Sequence, residues 1–234
     1  MQTRLLLILI LILGLGHAAR ITVGPGDEDY HQIQQAIDNA SVGDVIEVHS
    51  GTYLEWPWVT KSLILIGLDT GYGLPVINAS GSSSALTLVA NDGSRVEGFN
   101  LTGSGSCGCG NAGIDVISSN NIVISNILYK NKYGIYIKPG STNNTFISND
   151  FLENEIDASD SSNNSWIGSP GSEGFQRLAE LILGKEVKGN YYSDYDEPEE
   201  GCTDANNDDI CDLPRKISGG NSIDPYPSVK AKNI

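Results

Sequence analysis

The sequence predicts an all-β chain wound as a single-stranded parallel β-helix, with a short helix covering its N-terminal end. Three observations carry that expectation. Asn-Asn pairs recur at Asn120-Asn121, Asn143-Asn144 and Asn163-Asn164, separated by 23 and 20 residues, and lead into IVISN, TFISN and SWIGS. The repeat is in register: Ile122 falls on Thr145, Ile124 on Ile147, Asn126 on Asn149, Asn131 on Asn154 and Tyr133 on Ile156. Between the pairs, GIDVIS (113–118) and GIYIK (134–138) alternate apolar and polar residues, which puts Ile114, Val116, Ile135 and Ile137 on one face. A β-patterned unit of this period buries its apolar face only by stacking on its neighbours. Asn suits the corners, because it tolerates the left-handed backbone and its side chain can hydrogen-bond along a stack of coils. Hairpins in a sandwich would also mark turns with Asn and Gly, but register over two full coils and five-residue strands favour a coil wall.

Composition bounds the rest. At 234 residues one domain is the default, and a solenoid can exceed compact-domain size without splitting. Lys and Arg number 14 against 29 Asp and Glu, a formal charge of -15. No basic patch answers a phosphate backbone, so nucleic acid and anionic membrane are excluded as partners.

The chain opens with Arg4, an apolar run over 5–13, then GLGHAA, the layout of a secretory signal cleaved after Ala18 or Ala19. The run is short against the ~20 apolar residues of a spanning helix, and no other stretch could span. Residues 1–19 are therefore expected to be a signal peptide, residues 20–188 the β-helix and residues 189–234 an acidic tail. Export permits the four cysteines to be oxidised.

After the leader, Asp29 is placed to cap a helix with Gln32 reaching back, and Ile33, Ala36, Ile37 and Ala40 share one helical face. Such a helix suits the open end of a solenoid, where core and strand edges would otherwise be exposed. Residues 45–48, 59–65 and 85–89 supply the first strands, with Gly51, Gly67, Gly71 and Gly93 at corners.

The run QAIDNA, GDVIEV, GTYLE, KSLILIG resembles the N-terminal coil of pectin-lyase-like right-handed parallel β-helix proteins, particularly the NosD group with carbohydrate-binding and sugar-hydrolase repeats. NNIVISN, YGIYI and NNTFISN resemble the same group, and GNYYSDY with IDPYP resembles the tail of its archaeal surface-protein members. The resemblance covers most of the chain after the leader. It implies the right-handed coil firmly and the activity weakly, because this architecture hosts lyases, hydrolases, epimerases, adhesins and accessory proteins.

From Asp204 the tail reads DANNDDICD, which sets Asp204, Asn206, Asp208 and Asp212 at positions one, three, five and nine of an EF-hand-like loop, with the Ile210 carbonyl at seven. Alternate residues there turn oxygens toward a hard cation, so a structural calcium is expected. Position six is Asp209 where the turn wants Gly, and position twelve is Arg215 where a bidentate Glu belongs. A further ligand would come from Asp194, Asp196 or Asp224. The tail resemblance implies a calcium loop with glycines where this chain has Asn207, Asp209 and Cys211. A solvated acidic connector is the plainer alternative. A disulfide between Cys202 and Cys211 would pin the loop ends. Cys107 and Cys109, in GSGSCGCGN between two coils, either bond to each other or bind a soft metal, and four cysteines allow three pairings. The NosD resemblance raises copper, but only His31 and His49 follow the leader and neither is near a cysteine in sequence.

No catalytic constellation emerges. Sugar hydrolysis needs converging carboxylates, and lyase chemistry needs a base with a charge-neutralising partner. Asp115 faces outward, but the matching positions are Tyr136 and Ser159; Lys138 has no carboxylate in its own strand; Glu55 and Asp69 lie in loops. The sequence lacks the acidic pairs of polygalacturonases and the DPHE of alginate epimerases. Carbohydrate can instead be held by aromatics. In GTYLEWPWV, Pro57 favours an extended chain that turns Trp56 and Trp58 to one side, where sugar rings can stack on them. The alternative is that these rings pack over the first coil. Five N-x-[ST] triplets, at Asn39, Asn78, Asn100, Asn143 and Asn163, fit a glycosylated exported protein. Residues 172–189 read either as a capping helix or as a continuing strand.

The expected function is therefore an exported, cell-surface structural or binding module with polysaccharide or surface glycan as partner. A carbohydrate-active lyase or hydrolase, or a metal-handling accessory protein, is the rival.

Overall fold

The structure, a computed structural model, describes residues 18–90, 93–107, 110–162, 164–166 and 189–232. The expected signal peptide, the 172–189 segment, Cys109 and Asn163 lie wholly or largely outside the described residues.

Strand β1 (Arg20–Val23) and helix α1 (Ile33–Asn39) precede the first full coil, formed by β2 (Val45–His49), β3 (Thr52–Tyr53) and β4 (Trp58–Val59). The second coil is β5 (Ile64–Leu68), β6 (Val76–Asn78) and β7 (Leu86–Leu88). The third is β8 (Arg95–Glu97), β9 (Asn100–Thr102) and β10 (Ala112–Val116). The fourth is β11 (Ile122–Ile124), β12 (Ile127–Tyr129) and β13 (Tyr133–Ile137), and the fifth β14 (Thr145–Ile147), β15 (Asp150–Leu152) and β16 (Ile156–Asp160). A sixth turn holds β17 (Ser165–Trp166) and β18 (Tyr191–Tyr192), and the tail adds the antiparallel pair β19 (Arg215–Lys216) and β20 (Ile223–Asp224).

Three parallel sheets result. They run β1-β2-β5-β8-β11-β14-β17, β3-β6-β9-β12-β15-β18 and β4-β7-β10-β13-β16. The sequence register holds in the ladder: Ile122 pairs with Thr145, Ile124 with Ile147 and Tyr133 with Ile156. Ile114, Val116, Ile135 and Ile137 are all buried. The expected strand 59–65 is instead two strands, β4 and β5, meeting at a corner. Gly67 is no corner either: it lies within β5, where a Cβ would come 2.1 Å from the Gly98 carbonyl oxygen of the next coil.

The corners divide their work between two adjacent residues. The first takes positive φ: Asn120 (65°) and Asn143 (57°) at one corner, Ser125 (53°) and Ser148 (52°) at the next, Lys130 (53°) and Glu153 (51°) at the third. The coil before uses Gly93, Gly98 and Gly103 at these corners. The second residue builds the ladder. Asn121 Nδ2 donates to Asn144 Oδ1 at 2.8 Å, and Asn144 Nδ2 to Asn164 Oδ1 at 3.0 Å. Asn126, Asn149 and Asn190 form a second ladder at 3.1 Å per step, and Asn131 and Asn154 a third at 3.3 Å. Each amide also serves backbone. Asn149 Nδ2 donates to the Val123 carbonyl, and its Oδ1 accepts from the Asn126 N–H. The amides of the ladders are thus partnered along the stack and to backbone, which is the condition for tolerating them in a core.

Every ladder ends on a carboxylate. Asn164 Nδ2 donates to Asp160, Asn190 Nδ2 to Asp224 and Asn154 Nδ2 to Asp157. The last donor of a head-to-tail amide chain needs an acceptor, and a carboxyl oxygen supplies it. Above the apolar core, Phe146 stacks on Trp166 and Phe151 on Tyr192, with centroids 4.3 and 4.9 Å apart. Fully burying side chains of this size stabilises by about 1.5–3 kcal/mol each.

At the other end, α1 buries Ile33, Ala36, Ile37 and Ala40 as its spacing requires. Its cap differs from the expected one. The N-cap is Gln32 and makes no side-chain cap, because Asp29 is committed to the backbone N–H and hydroxyl of Thr22. The first-turn amides of Ile33 and Gln34 donate instead to Glu55, at 2.8 and 3.0 Å. Lys61 Nζ donates to the carbonyls of Ile37, Asp38 and Ala40 at the far end. Opposite charges at the two ends complement the helix dipole.

Candidate functional site: an aromatic groove beside the capping helix

Residues 54–59 alternate outward and inward as they cross from β3 to β4. Leu54 is 69% exposed and Trp56 and Trp58 47% each, whereas Tyr53, Pro57 and Val59 are buried. The two tryptophans do face one side. They do not disappear into the first coil, since about half of each stays accessible.

The segment is laced to α1. Besides the Glu55 carboxylate on the helix N-terminus, Gln34 Oε1 accepts the Trp58 N–H at 2.7 Å and Gln34 Nε2 donates to the Trp58 carbonyl at 3.4 Å. Between helix and segment lie two adjoining cavities of about 390 and 310 Å³ that share Gln32, Leu54 and Glu55. The first adds His31, Thr52 and Tyr53, and the second Gln34, Trp56 and Trp58. His31 Nδ1 is hydrogen-bonded to the Gly24 carbonyl at 2.7 Å. Burial, with Glu28 and Glu55 nearby, pushes the Tyr53 hydroxyl up to about 12, so it stays protonated. The groove thus combines an apolar row, Leu54, Trp56 and Trp58, with the polar side chains of His31, Gln32, Gln34, Thr52 and Glu55.

Two charged clusters escaped the sequence reading because their members come from different coils. Lys138 does meet a carboxylate, that of Asp115 one coil away at 3.7 Å, and its ammonium lies 4.6 Å from the Tyr136 ring. Burial pushes Asp115 up to about 6 despite Lys138. At the C-terminal end Arg215 bridges Asp157, at 3.0 Å, and Asp194, and its guanidinium sits 4.2 Å from the Tyr192 ring. Burial and then Asp194 push Asp157 up to about 7. Asp69 stays apart from Glu55, with its carboxylate turned to the amides of Gly71 and Gly73. The registry of coils would have found Asp115 and Lys138; only the tail's return path brings Arg215 to Asp157.

In the acidic loop, Cys202 and Cys211 form the disulfide, Cα to Cα 4.8 Å. Asn207 (φ 57°) and Asp209 (φ 65°) adopt the left-handed conformation that glycine would supply. Asp204 accepts from the N–H groups of Asp208 and Asp209, and Asn206 bonds to Asp208 at 3.0 Å. Asp212 turns to Thr203 and Ala205 at the mouth of the loop. Ile210 pairs with Ser228 across an antiparallel bridge. The suggested extra ligands are spoken for: Asp194 holds Arg215, Asp196 accepts from Tyr191, and Asp224 accepts from Asn190 and Tyr192.

Copper fits poorly. Cys107 is disulfide-bonded, and its Gly-rich excursion leaves the third coil between β9 and β10 instead of lying between coils. His49 Nδ1 is held by Glu28 at 2.8 Å. Among the described residues no three His, Cys, Asp or Glu side chains converge on a metal-sized site. Of the glycosylation triplets, Asn39 and Asn143 are exposed while Asn78 and Asn100 are half-buried in the second sheet. No helix of the described residues is long and apolar enough to cross a membrane.

Fold and groove define a β-solenoid protein of the pectin-lyase-like class with a lateral aromatic cleft. Residues 78–197 match the family described as periplasmic copper-binding protein (NosD), half of the chain, and the protein belongs to that family. Comparison with curated proteins finds no match. Among solved structures, a pectin methylesterase variant in complex with a hexasaccharide is similar over 75% of this chain and 60% of its own, at 12% identity and TM-score 0.41. A pectin methylesterase from Aspergillus niger is similar over 76% of this chain and 66% of its own, at 15% identity and TM-score 0.37. The chain thus spans less than two thirds of either enzyme.

Proposed function

We propose that this NosD-family chain is an extracytoplasmic module that binds a polysaccharide along the groove between α1 and residues 54–58. The observation that carries this reading is the row Leu54, Trp56 and Trp58, exposed side by side on a segment held rigid by Glu55 and Gln34. Large apolar side chains so placed cost solubility, and on a preformed frame they bind flat sugar faces with little ordering entropy. The buried Asp157 is tied to Arg215 and to the ladder amide of Asn154, which favours binding over hydrolysis there, while Asp115 meets Lys138 at 3.7 Å. The test is to pass the protein over immobilised polysaccharides while assaying for new reducing or unsaturated ends. Retention without products is expected, and products would replace this reading with an enzymatic one.

For the 204–212 loop we propose a structural calcium on the left-handed Asn207 and Asp209 alone, since among the described residues no three Asp, Glu, His or Cys side chains converge there.

A further inference from the structure

Resting on the groove reading above, we infer that the ligand is an uncharged polysaccharide, and that polyuronates and cationic glycans are rejected. The walls decide this. Among the described residues no Lys or Arg lines either cavity. Lys61, the basic residue nearest in sequence, has its ammonium spent on three helix carbonyls at 2.7–3.0 Å. A uronate chain carries one carboxylate per ring, so each ring entering the groove would lose hydration with no cation to receive it. The amides at the start of α1, which would otherwise attract an anion, are already taken by Glu55. The formal charge of -15 adds repulsion at the approach.

A cationic chain fares no better inside. Among the described residues Glu55 is the one carboxylate lining the groove, and each of its oxygens already accepts a backbone N–H, which weakens it as an acceptor for an ammonium. What remains is polar: the Gln32 amide, the Thr52 hydroxyl and the His31 ring, in the cavity that adjoins the apolar row. Such groups match sugar hydroxyls, and the row matches the C–H faces of pyranose rings.

Affinity electrophoresis of the full chain, in EDTA, against neutral glucans, mannans and xylans, against polygalacturonate and alginate, and against chitosan tests this. At least one neutral polymer should retard the protein, with less than about a twofold change between low and high salt. Trp56→Ala and Trp58→Ala, checked for unchanged melting, should each weaken retardation about tenfold. Gln32→Lys should create uronate binding absent from the parent. Stronger, tryptophan-dependent binding of an acidic or cationic polymer would overturn the charge inference and leave the groove reading standing. Retardation by no polymer, or retardation indifferent to both tryptophan substitutions, would overturn both.

Discussion

Gln34 holds the backbone of Trp58 on both sides of its Cα, accepting its N–H at 2.7 Å and donating to its carbonyl at 3.4 Å. One side chain thus replaces a strand neighbour and fixes the ring's direction relative to α1. Gln34→Ala should keep both tryptophans yet weaken polysaccharide retention severalfold, through lost pre-organisation. Isothermal titration with the best neutral polymer measures it, and unchanged affinity would show that the frame does not matter.

Glu55 tests the same frame from the side of stability. Replacing it with Ala leaves two first-turn amides without their acceptor, and should cost about 1–2 kcal/mol in urea unfolding. Glu55→Gln, which keeps one acceptor oxygen, should cost less.

The ladders make a directional prediction. Asn149 is fully buried and both donates and accepts along the stack. Asn149→Asp substitutes an acceptor for a donor opposite Asn190 Oδ1 and the Val123 carbonyl. It should therefore destabilise more than Asn149→Ala at neutral pH, where Ala costs about 3 kcal/mol. The order should narrow in acid, where a protonated carboxyl can donate. Denaturant melts at pH 4 and pH 7 compare the two.

Asp157 sets a pH dependence. Burial and Asp194 hold its folded-state pKa at about 7, above the ordinary value of 3.8, so the folded chain retains a proton that the unfolded chain releases. Stability from this group is complete below about pH 4 and is lost as pH rises through about 7. Asp115, raised to about 6, acts in the same sense. The melting temperature should fall across this window, and Asp157→Asn should flatten much of the slope. A melting temperature that rose from pH 5 to pH 8 in the parent, with the variant unchanged, would contradict this.

Calcium should raise the melting temperature of the tail, and Asp208→Ala should abolish the rise. Reducing the Cys202–Cys211 bond should lower tail stability by about 2–3 kcal/mol with or without the ion. Calorimetry with EDTA and with added calcium separates the two contributions.

Much of the architecture could be read from the repeat, because a coil wall repeats its chemistry and a period survives insertion at the corners. Ile122 on Thr145 and Tyr133 on Ile156 were legible for that reason. The split between a turning residue and a laddering one was not, since Lys130 and Glu153 occupy positive φ without being turn formers. The Asp29 cap failed because Thr22 competes for the same carboxylate, and Glu55 reaches α1 only through the winding of the first coil. Trp56 and Trp58 were visible through Pro57; the rest of the groove was not, because Gln32 and Gln34 lie more than twenty residues before them in the chain. Arg215 read as a misplaced calcium ligand until the tail's fold set it between Asp157 and Asp194.

The aspartates at the ends of the three Asn ladders act as punctuation. An amide rung passes its donor onward in one sense only, so another Asn coil could be inserted within the stack and read in phase. The ladders stop at Asp160, Asp224 and Asp157, whose carboxyl oxygens accept the last amide donor of each. The stack thus closes inside the protein: Ser222 of the tail donates to Asp160, Arg215 holds Asp157 and Asp224 is itself a tail residue. One carboxyl group at the end of each ladder ties the coils to their cover.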